Sequence, residues 1–109
     1  MTDKRIVLTT AGSEEEAHKI ARQLVERQLA ACVNIIPRVT SIYRWRGSVD
    51  EAQEWLLVVK TTASAFAGLH QAIAALHSYD VPECVCLAIE DGSEEYLEWI
   101  GESVHSDEA

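Results

Sequence analysis

Residues 31–62 read ACVNIIPRVTSIYRWRGSVDEAQEWLLVVKTT, and this stretch decides the fold. Uncharged side chains such as Tyr43 and Trp45 occupy every second position towards the end of its first half. A period of two is typical of a β-strand rather than of a helix. After a turn around Gly47 and Ser48, a second extended segment returns. The stretch therefore predicts one long β-hairpin.

The first arm of this hairpin is too long for a small domain. If straight, residues 31–46 would extend over roughly 50 Å, since a strand rises about 3.3 Å per residue. A domain of this size has a radius of gyration of only about 13 Å. Pro37 predicts where the arm bends, because proline has no N–H to give to a central ladder. Tyr43 and Trp45 lie beyond the bend, and we expect a second copy of the chain to cover this aromatic ribbon.

The returning arm is apolar on both of its sides. Leu57 and Val59 point to one face, and Leu56 and Val58 point to the other. Strands that are covered on both faces have this composition. We therefore predict that the second arm is buried on both faces.

Charged residues near the tip of the hairpin suggest a register for the two arms. Arg44 and Arg46 on the first arm are predicted to face Glu51 and Glu54 on the second. Opposite charges directly across a strand pair stabilise it, so this match would help to align the arms.

Shorter elements flank the hairpin. The first strand is predicted over residues 4–10. Ser13 and Glu16 then form a predicted capping box, which starts a helix that lasts to about residue 29. A second helix begins at residues 62–64 and ends near His77.

The end of the chain completes the pattern. Residues 83–90 predict a buried fourth strand, residues 91–93 a turn, and the following residues a third helix before a polar tail from Ser106. The order β-α-β-β-α-β plus a C-terminal helix is that of the ferredoxin-like split β-α-β fold. We therefore predict an α+β fold with an antiparallel sheet and a long protruding hairpin, in a single domain over residues 1–109.

The composition limits the kind of partner. The chain has 109 residues and a formal net charge of −9, from 18 acidic and 9 basic residues. Nucleic acids select basic surfaces, so this charge argues against nucleic-acid binding. No apolar run approaches the roughly 18 residues that cross a membrane, and no leader precedes the first strand. These features predict a cytoplasmic protein without a membrane partner.

Three cysteines, Cys32, Cys84 and Cys86, lie in apolar strand contexts. An odd number of cysteines in such a setting favours reduced thiols in the core over a disulfide framework. A shared metal site is the alternative, although the paired Cys-x-x-Cys or His-x-x-x-His groups of structural zinc sites do not occur in the sequence.

Polar and aromatic residues are densest in the loop that enters the fourth strand, where His77, Tyr79, Asp80 and Glu83 occur together. Loops on a rigid sheet often hold binding sites, but the same residues could simply end the helix. Lys60 also has two interpretations. Its ammonium could face a ligand, or it could be a lysine at the end of a strand whose side chain reaches water. No serine or cysteine has a general base at a recognisable spacing, which leaves a hydrolase without a nucleophile.

Several of these motifs occur together in a known family. They are residues 31–37 (ACVNIIP), Ser41-x-Tyr43-x-Trp45-x-Gly47, Glu54, the strand end Lys60-Thr61, and His77-x-Tyr79-Asp80-x-Pro82-Glu83. In this order and spacing, over nearly the whole chain, they resemble the CutA divalent-cation tolerance family. The resemblance implies a ferredoxin-like protomer in a tightly packed homotrimer, in which strands of neighbouring subunits extend one another's sheets as in the nitrogen-regulatory signalling trimers.

The resemblance also implies a ligand-binding cleft between subunits. Carried over by position, the cleft draws on Cys32, Tyr43, Trp45, Lys60, Tyr79, Asp80 and Glu83, with His77 as the candidate metal ligand. The sequence departs from the family at Ser78, where a proline is common, and this change is expected to loosen the loop. Some copper-binding members have a cysteine near the end of the first strand and paired histidines before the loop. Here Thr9-Thr10 and Leu76-His77 stand at those positions.

Two functions follow from the residues and the resemblance together. The first is a cytoplasmic, non-enzymatic homotrimer that binds a divalent metal such as copper or zinc at the intersubunit cleft, with no obligatory cofactor. The second is a signalling trimer that binds a small anionic metabolite through Lys60 and the loop at His77.

Overall fold

The computed structural model describes residues 2–105. Its helices and strands follow one another as β1 (Lys4–Ala11), α1 (Glu14–Glu26), β2 (Cys32–Trp45), β3 (Ser48–Thr62), α2 (Phe66–Leu76), β4 (Val85–Ala88) and α3 (Glu94–Ser103). The predicted order of elements is confirmed, and so is the α+β class. The polar tail predicted from Ser106 lies outside the described residues.

The four strands form one antiparallel sheet in the order β2-β3-β1-β4. Val59 on β3 is the point of reference for its register, because it pairs with Val7 on β1 and with Val33 on β2. Every second residue of a strand points to the same face, so these pairings define two faces along the whole sheet.

One face of the sheet packs on α1 and α2 and forms the main core. Val7, Leu57 and Val59 are fully buried on this face, against Ile20 of α1 and Ile73 of α2. Helix α1 provides this contact because its apolar residues recur at three- and four-residue spacing. A smaller cluster joins Ile100 and Val104, at the end of the chain, to Ala31 and Ala65.

The opposite face, which we call the open face, is not buried to the same degree. Leu56 and Val58 on β3 are only half-buried, whereas Leu57 and Val59 between them are fully buried. The prediction that the second arm is buried on both faces is therefore wrong for the single chain. The physical reason is that α1 and α2 share one core cluster with the same face of the sheet.

Strand β4 corrects a second prediction. The regular strand covers only Val85–Ala88, and all four of its residues are exposed rather than buried. It lies at the edge of the sheet and pairs only with β1, so half of its surroundings is solvent. Cys86 is exposed, and Cys32 and Cys84 are half-buried, so the expectation of three core thiols is also wrong.

The β2–β3 hairpin bends next to Pro37, as the sequence predicts. The ladder shifts between Ile36 and Val39, and Arg38 in the resulting bulge has a φ of 56°. The molecule reaches 43 Å along its longest axis. Tyr43 and Trp45 remain 43% and 45% exposed near the end of the hairpin, so residues 2–105 of the same chain do not cover the aromatic ribbon.

The turn of the hairpin lies one residue earlier than predicted. Trp45 pairs with Ser48, which leaves Arg46 and Gly47 as a two-residue turn with φ angles of 52° and 83°. Positive φ at both positions is the signature of the type I′ turn, whose twist matches that of the strands.

This register removes the predicted charge match at the tip. Arg44 lies opposite Val49, Glu51 lies opposite Ile42, and Glu54 lies opposite Val39. Arg46 is in the turn itself and not in the ladder. The predicted pairing of arginines with glutamates across the strands is therefore wrong.

Candidate functional site

A cleft of about 830 Å³ lies between the outer part of the hairpin and the loop of residues 77–84. This volume is within the range of small-molecule binding sites. The cleft is lined by Thr10, Ser41, Ile42, Tyr43, Trp45, Glu54, Ser78, Tyr79, Asp80, Val81, Pro82 and Glu83.

The register of the sheet explains why the strand residues of the cleft converge. Thr10 pairs with Leu56, and Glu54 is two residues from Leu56, so Thr10 and Glu54 share the open face. Beyond the bulge, Val39 pairs with Glu54. The period of two then places Tyr43 and Trp45 on the same face as Glu54. Three neighbouring strands, β2, β3 and β1, thus provide one wall of the cleft.

The loop that forms the other wall is fastened to the start of α1. The backbone N–H and the hydroxyl of Ser78 donate hydrogen bonds to the two carboxylate oxygens of Glu16, at 2.8 and 3.1 Å. Ser78 therefore anchors the loop, and the expectation that it loosens the loop is wrong. A proline at this position would lack both donors.

Glu16 also changes the predicted capping box. Its backbone N–H donates to the hydroxyl of Ser13 at 3.1 Å, so the N-cap is confirmed. Its carboxylate turns to Ser78 instead of completing the box. Burial acts to raise the pKa of Glu16, but the hydrogen bonds from Ser78 outweigh it, and the pKa is lowered.

His77 holds the base of the loop with both of its ring nitrogens. Nε2–H donates to the carbonyl of Thr10 at 2.5 Å, and Nδ1 accepts the backbone N–H of Tyr79 at 3.1 Å. This pattern requires the neutral tautomer with the proton on Nε2. No ring lone pair is left for a metal in this conformation, and coordination would require the bond to Tyr79 to open. The metal-ligand role of His77 stays a prediction.

A buried pair joins the two walls of the cleft. The Tyr79 hydroxyl donates to Oε2 of Glu54 at 2.7 Å, and Glu54 is only 8% exposed. Burial, followed by the hydrogen bond and charge of Glu54, raises the pKa of Tyr79 well above its ordinary value of 10.0. A Cβ atom on Gly12 would lie 2.9 Å from the Tyr79 hydroxyl oxygen. Glycine at this position therefore gives Tyr79 the room to reach Glu54.

The structure brings together five of the residues predicted for the site. The five that line the cleft are Tyr43, Trp45, Tyr79, Asp80 and Glu83. His77 contacts Thr10 and Tyr79, which do line it, but His77 itself does not.

Cys32 and Lys60 lie outside the cleft. They pair with each other at the far end of β2 and β3. Lys60 is six residues from Glu54, which corresponds to roughly 20 Å along a strand. The ammonium of Lys60 donates a hydrogen bond to Oδ1 of Asn34. Within one subunit, these two residues cannot act on the same ligand as Tyr79 and Glu54.

Sequence reasoning did not assign Glu54 or Gly12 to the site. Glu54 was part of the family motif, and the one signal of its role is a carboxylate directly before the apolar run that starts at Trp55. Gly12 follows the first strand, and no neighbouring residue marks it as part of the site. Its role depends on the position of Tyr79, which is far away in sequence.

The cleft is negatively charged. Its lining contains the carboxylates of Glu54, Asp80 and Glu83 and no lysine, arginine or histidine. Such a surface raises the local concentration of cations and repels anions. Within residues 2–105, however, no three histidine, cysteine or acidic side chains are close enough to one another to hold a metal ion.

The architecture and the cleft together define a class of protein: a small α+β domain with an exposed hairpin and a cleft lined by acidic and aromatic side chains. The model of the CutA1 divalent ion tolerance protein family matches residues 5–103. The chain belongs to this family. None of the helices that the structure describes is both long and apolar enough to span a membrane.

Individual relatives agree with this assignment. The divalent-cation tolerance protein CutA of Thermus thermophilus is 56% identical over 100 residues, which cover 92% of this chain and 97% of the relative. A solved structure of the Thermus thermophilus protein superimposes with a TM-score of 0.92 at 55% identity, over 94% of this chain and 99% of that one.

More distant relatives differ in length and in stated location. A CutA homolog of Xenopus laevis is 46% identical over 87% of this chain, which spans only 63% of the frog protein. The solved CutA structure from Archaeoglobus fulgidus, with a TM-score of 0.90 at 41% identity over 94% of this chain and 99% of that one, is described as periplasmic. The names of these proteins refer to divalent-cation tolerance or to CutA and to no reaction.

Proposed function

We propose that the protein is a non-enzymatic, cytoplasmic divalent-cation tolerance protein that assembles as a homotrimer and binds a divalent metal, such as copper or zinc, in the cleft between subunits. The observation that carries this proposal is the charge of the cleft, which has three carboxylates and no basic side chain in its lining. Family membership adds the link to divalent cations. Three free thiols support a reducing compartment.

Two exposed apolar surfaces support the assembly. On the open face, Val85 and Leu87 are each 47% exposed beside their partners on β1, the half-buried Leu8 and Ile6. At the tip of the hairpin, Ile42 is 67% exposed. Contiguous apolar surfaces of this kind mark contacts with other chains. A second and third copy of the chain would cover both surfaces.

The chemistry of the donors suggests why the site would need more than one subunit. The cleft offers carboxylate oxygens, which bind zinc and harder divalent ions, whereas copper prefers thiolate or imidazole. Cys32 lies roughly 20 Å along the strands from Glu54 of the same chain. A thiol or imidazole for copper would therefore come from a neighbouring subunit, or from His77 after its bond to Tyr79 opens.

Mass spectrometry of the intact assembly, after oxygen-free titration with copper or zinc, tests both parts of the proposal. We expect trimers that carry metal in proportion to their subunits. The Glu54→Gln and His77→Ala variants should bind the metal more weakly. Glu98→Gln, which makes the same charge change on exposed helix α3, is the matched control and should bind as the unmodified chain does. Subunits that remain single at micromolar concentration, or trimers without metal, would contradict the proposal.

Sedimentation of a Trp45→Ala variant tests the role of the hairpin tip separately. Trp45 is 45% exposed in the single chain, so its removal should cost the isolated subunit little. If a neighbouring subunit covers the ring, the loss of a buried aromatic anchor should weaken association by about 2 kcal/mol. Trp99→Ala, on α3 and 42% exposed, is the control of equal size. Equal association of the two variants would argue against a tip-mediated trimer.

The second function considered from the sequence, binding of a small anionic metabolite, has no support in the lining of the cleft. Lys60, its main candidate residue, lies outside the cleft and bonds to Asn34. The three carboxylates would repel an anion. We therefore do not put forward a signalling function for this chain.

A further inference from the structure

We propose that the cleft also accepts a small organic cation, a molecule with protonated amino groups joined by an apolar chain. The aromatic side chains would lie against its apolar part, and the carboxylates would neutralise its charges. This inference uses the same cleft as the proposed function but goes beyond it, because an amine and a metal ion are different ligands.

The size of the cleft and the spacing of its charges also suit a ligand larger than a single ion. Oxygen ligands hold a divalent metal at about 2.0–2.6 Å, so a metal site gathers its donors closely. Here Glu54 lies on β3, whereas Asp80 and Glu83 lie on the loop, in a cleft of about 830 Å³. No metal-binding group of three such residues forms within residues 2–105. Separated negative charges suit a ligand with more than one positive group.

Aromatic side chains give the cleft a second feature of amine sites. Tyr43, Trp45 and Tyr79 all belong to its lining. The faces of such rings attract ammonium groups, and tryptophan attracts them best. The Trp45 ring already has a cation near it, because the Arg46 guanidinium lies 5.6 Å from the ring centre. A ligand ammonium could make the same kind of contact from inside the cleft.

The burial of Glu54 and its hydrogen bonding give the main support for a cationic ligand. This side chain is 92% buried, yet its one hydrogen bond in the described part of the chain comes from the neutral hydroxyl of Tyr79, on Oε2. No lysine or arginine forms an ion pair with it among those residues. A buried carboxylate without a cation is costly, since water no longer solvates it fully. Oε1 is left to accept a hydrogen bond from a ligand amine.

The negative charge of the lining predicts a positively charged ligand rather than a neutral one. With Glu54, Asp80 and Glu83 and no basic residue among its described lining residues, the cleft would attract a diamine or triamine. A neutral molecule of the same length would gain only the apolar contacts. The difference in affinity between the charged and the neutral molecule therefore measures what the carboxylates contribute to binding.

Isothermal titration calorimetry with spermidine tests the inference, with fully acetylated spermidine as the uncharged control. We expect spermidine to bind, with an affinity that falls as salt is added, and the acetylated form not to bind measurably. Glu54→Gln should weaken binding by about tenfold, because a charge-assisted hydrogen bond is lost. Glu98→Gln, outside the cleft, should leave the affinity unchanged.

The outcomes separate this inference from the proposed metal function. Metal binding without spermidine binding would overturn the inference alone, and spermidine binding without metal binding would overturn the metal site alone. Equal spermidine affinity of Glu54→Gln and Glu98→Gln would mean attraction by the overall charge of −9 and would also overturn it.

Sedimentation of the same samples shows whether a substitution has changed the assembly of the subunits. If Glu54→Gln dissociates the subunits, Asp80→Asn, on the exposed loop, replaces it as the test variant. An Asp80→Asn chain that assembles normally and binds spermidine as tightly as the unmodified protein would then contradict the inference.

Discussion

The two ends of the β2–β3 hairpin have similar local structure but different surroundings. At its base, Leu57 and Val59 are fully buried under α1 and α2. At its tip, Ile42 is 67% and Val49 is 64% exposed, although the two arms are paired there by antiparallel ladder bonds of the same kind. Backbone pairing alone therefore does not bury a side chain. Burial depends on whether a second layer lies over that part of the strand.

The junction between these two regions is where the candidate site lies. The bulge at Pro37 and Arg38 ends the regular ladder of the base, and Glu54 pairs with the first residue beyond it. Tyr79 reaches this junction from the loop. The part of the hairpin that leaves its own core is thus the part that carries the side chains proposed to bind a ligand, because only there are they free to face a cleft.

The largest expected effect is at the base. Leu57→Ala removes a fully buried side chain from the core and should lower the free energy of unfolding by about 3 kcal/mol. Ile42→Ala at the tip is the matched comparison and should change the unfolding of the subunit far less. Urea titrations of both variants at one protein concentration measure the difference. Equal losses would show that the tip is as well packed as the base.

A smaller effect is expected at the junction. Tyr79→Phe leaves the buried carboxylate of Glu54 without its hydrogen bond and should cost about 2 kcal/mol. Tyr96→Phe, on the exposed side of α3, is the control and should cost almost nothing. Gly12→Ala should resemble Tyr79→Phe, because its methyl group displaces the Tyr79 hydroxyl. A Gly12→Ala chain as stable as the unmodified one would argue against the close approach.

The hydrogen bonds that Ser78 donates to Glu16 predict that the free energy of unfolding depends on pH. The folded pKa of Glu16 lies below its ordinary value of 4.5, so its contribution is complete above that pH and is lost as the pH falls through the folded pKa. Glu16→Gln should cost about 1 kcal/mol at neutral pH, since solvent screens part of the interaction.

Urea midpoints between neutral and strongly acidic pH check this dependence. The difference between Glu16→Gln and the unmodified chain should shrink below the ordinary pKa of 4.5. Glu14→Gln, in the same exposed turn, controls for the charge near the start of the helix. If the two variants follow the same course with pH, Ser78 does not hold the loop through Glu16.

The smallest expected effect is at the turn of the tip. Arg46 has a φ of 52°, a conformation that asparagine adopts more easily than arginine. Arg46→Asn should therefore stabilise the hairpin by about 0.5 kcal/mol, in spite of the lost contact with Trp45. Thermal unfolding at a fixed protein concentration measures the gain. Arg44→Asn, in the ladder, should bring no such gain.

Sequence reasoning was accurate where the cause is local. Period-two alternation predicted the hairpin, Pro37 predicted its bend, and Ser13 predicted the start of α1, and each of these depends on neighbouring residues only. The five cleft residues that the structure brings together came from motif spacing and the resemblance, not from any local rule.

Apart from the position of the hairpin turn, the errors concern positions that depend on distant parts of the chain. The cross-strand charge match failed because a turn one residue earlier moves every partner. The buried fourth strand failed because an apolar run looks the same at the edge and at the centre of a sheet. Neither the anchoring of Ser78 on Glu16 nor the bond of His77 to Thr10 could be predicted, since each joins residues more than 60 positions apart.

The sequence by itself determined the order of the elements, the long bent ribbon, the exposed aromatic tip and the excess of negative charge, because periodicity, proline and composition act locally or add up along the chain. Only the tertiary structure decided which face of the sheet is open, and that Glu54, Tyr79 and Gly12 meet at the junction of base and tip. Such contacts depend on strand register and on loops closing across the sheet, and neither is encoded in any short segment.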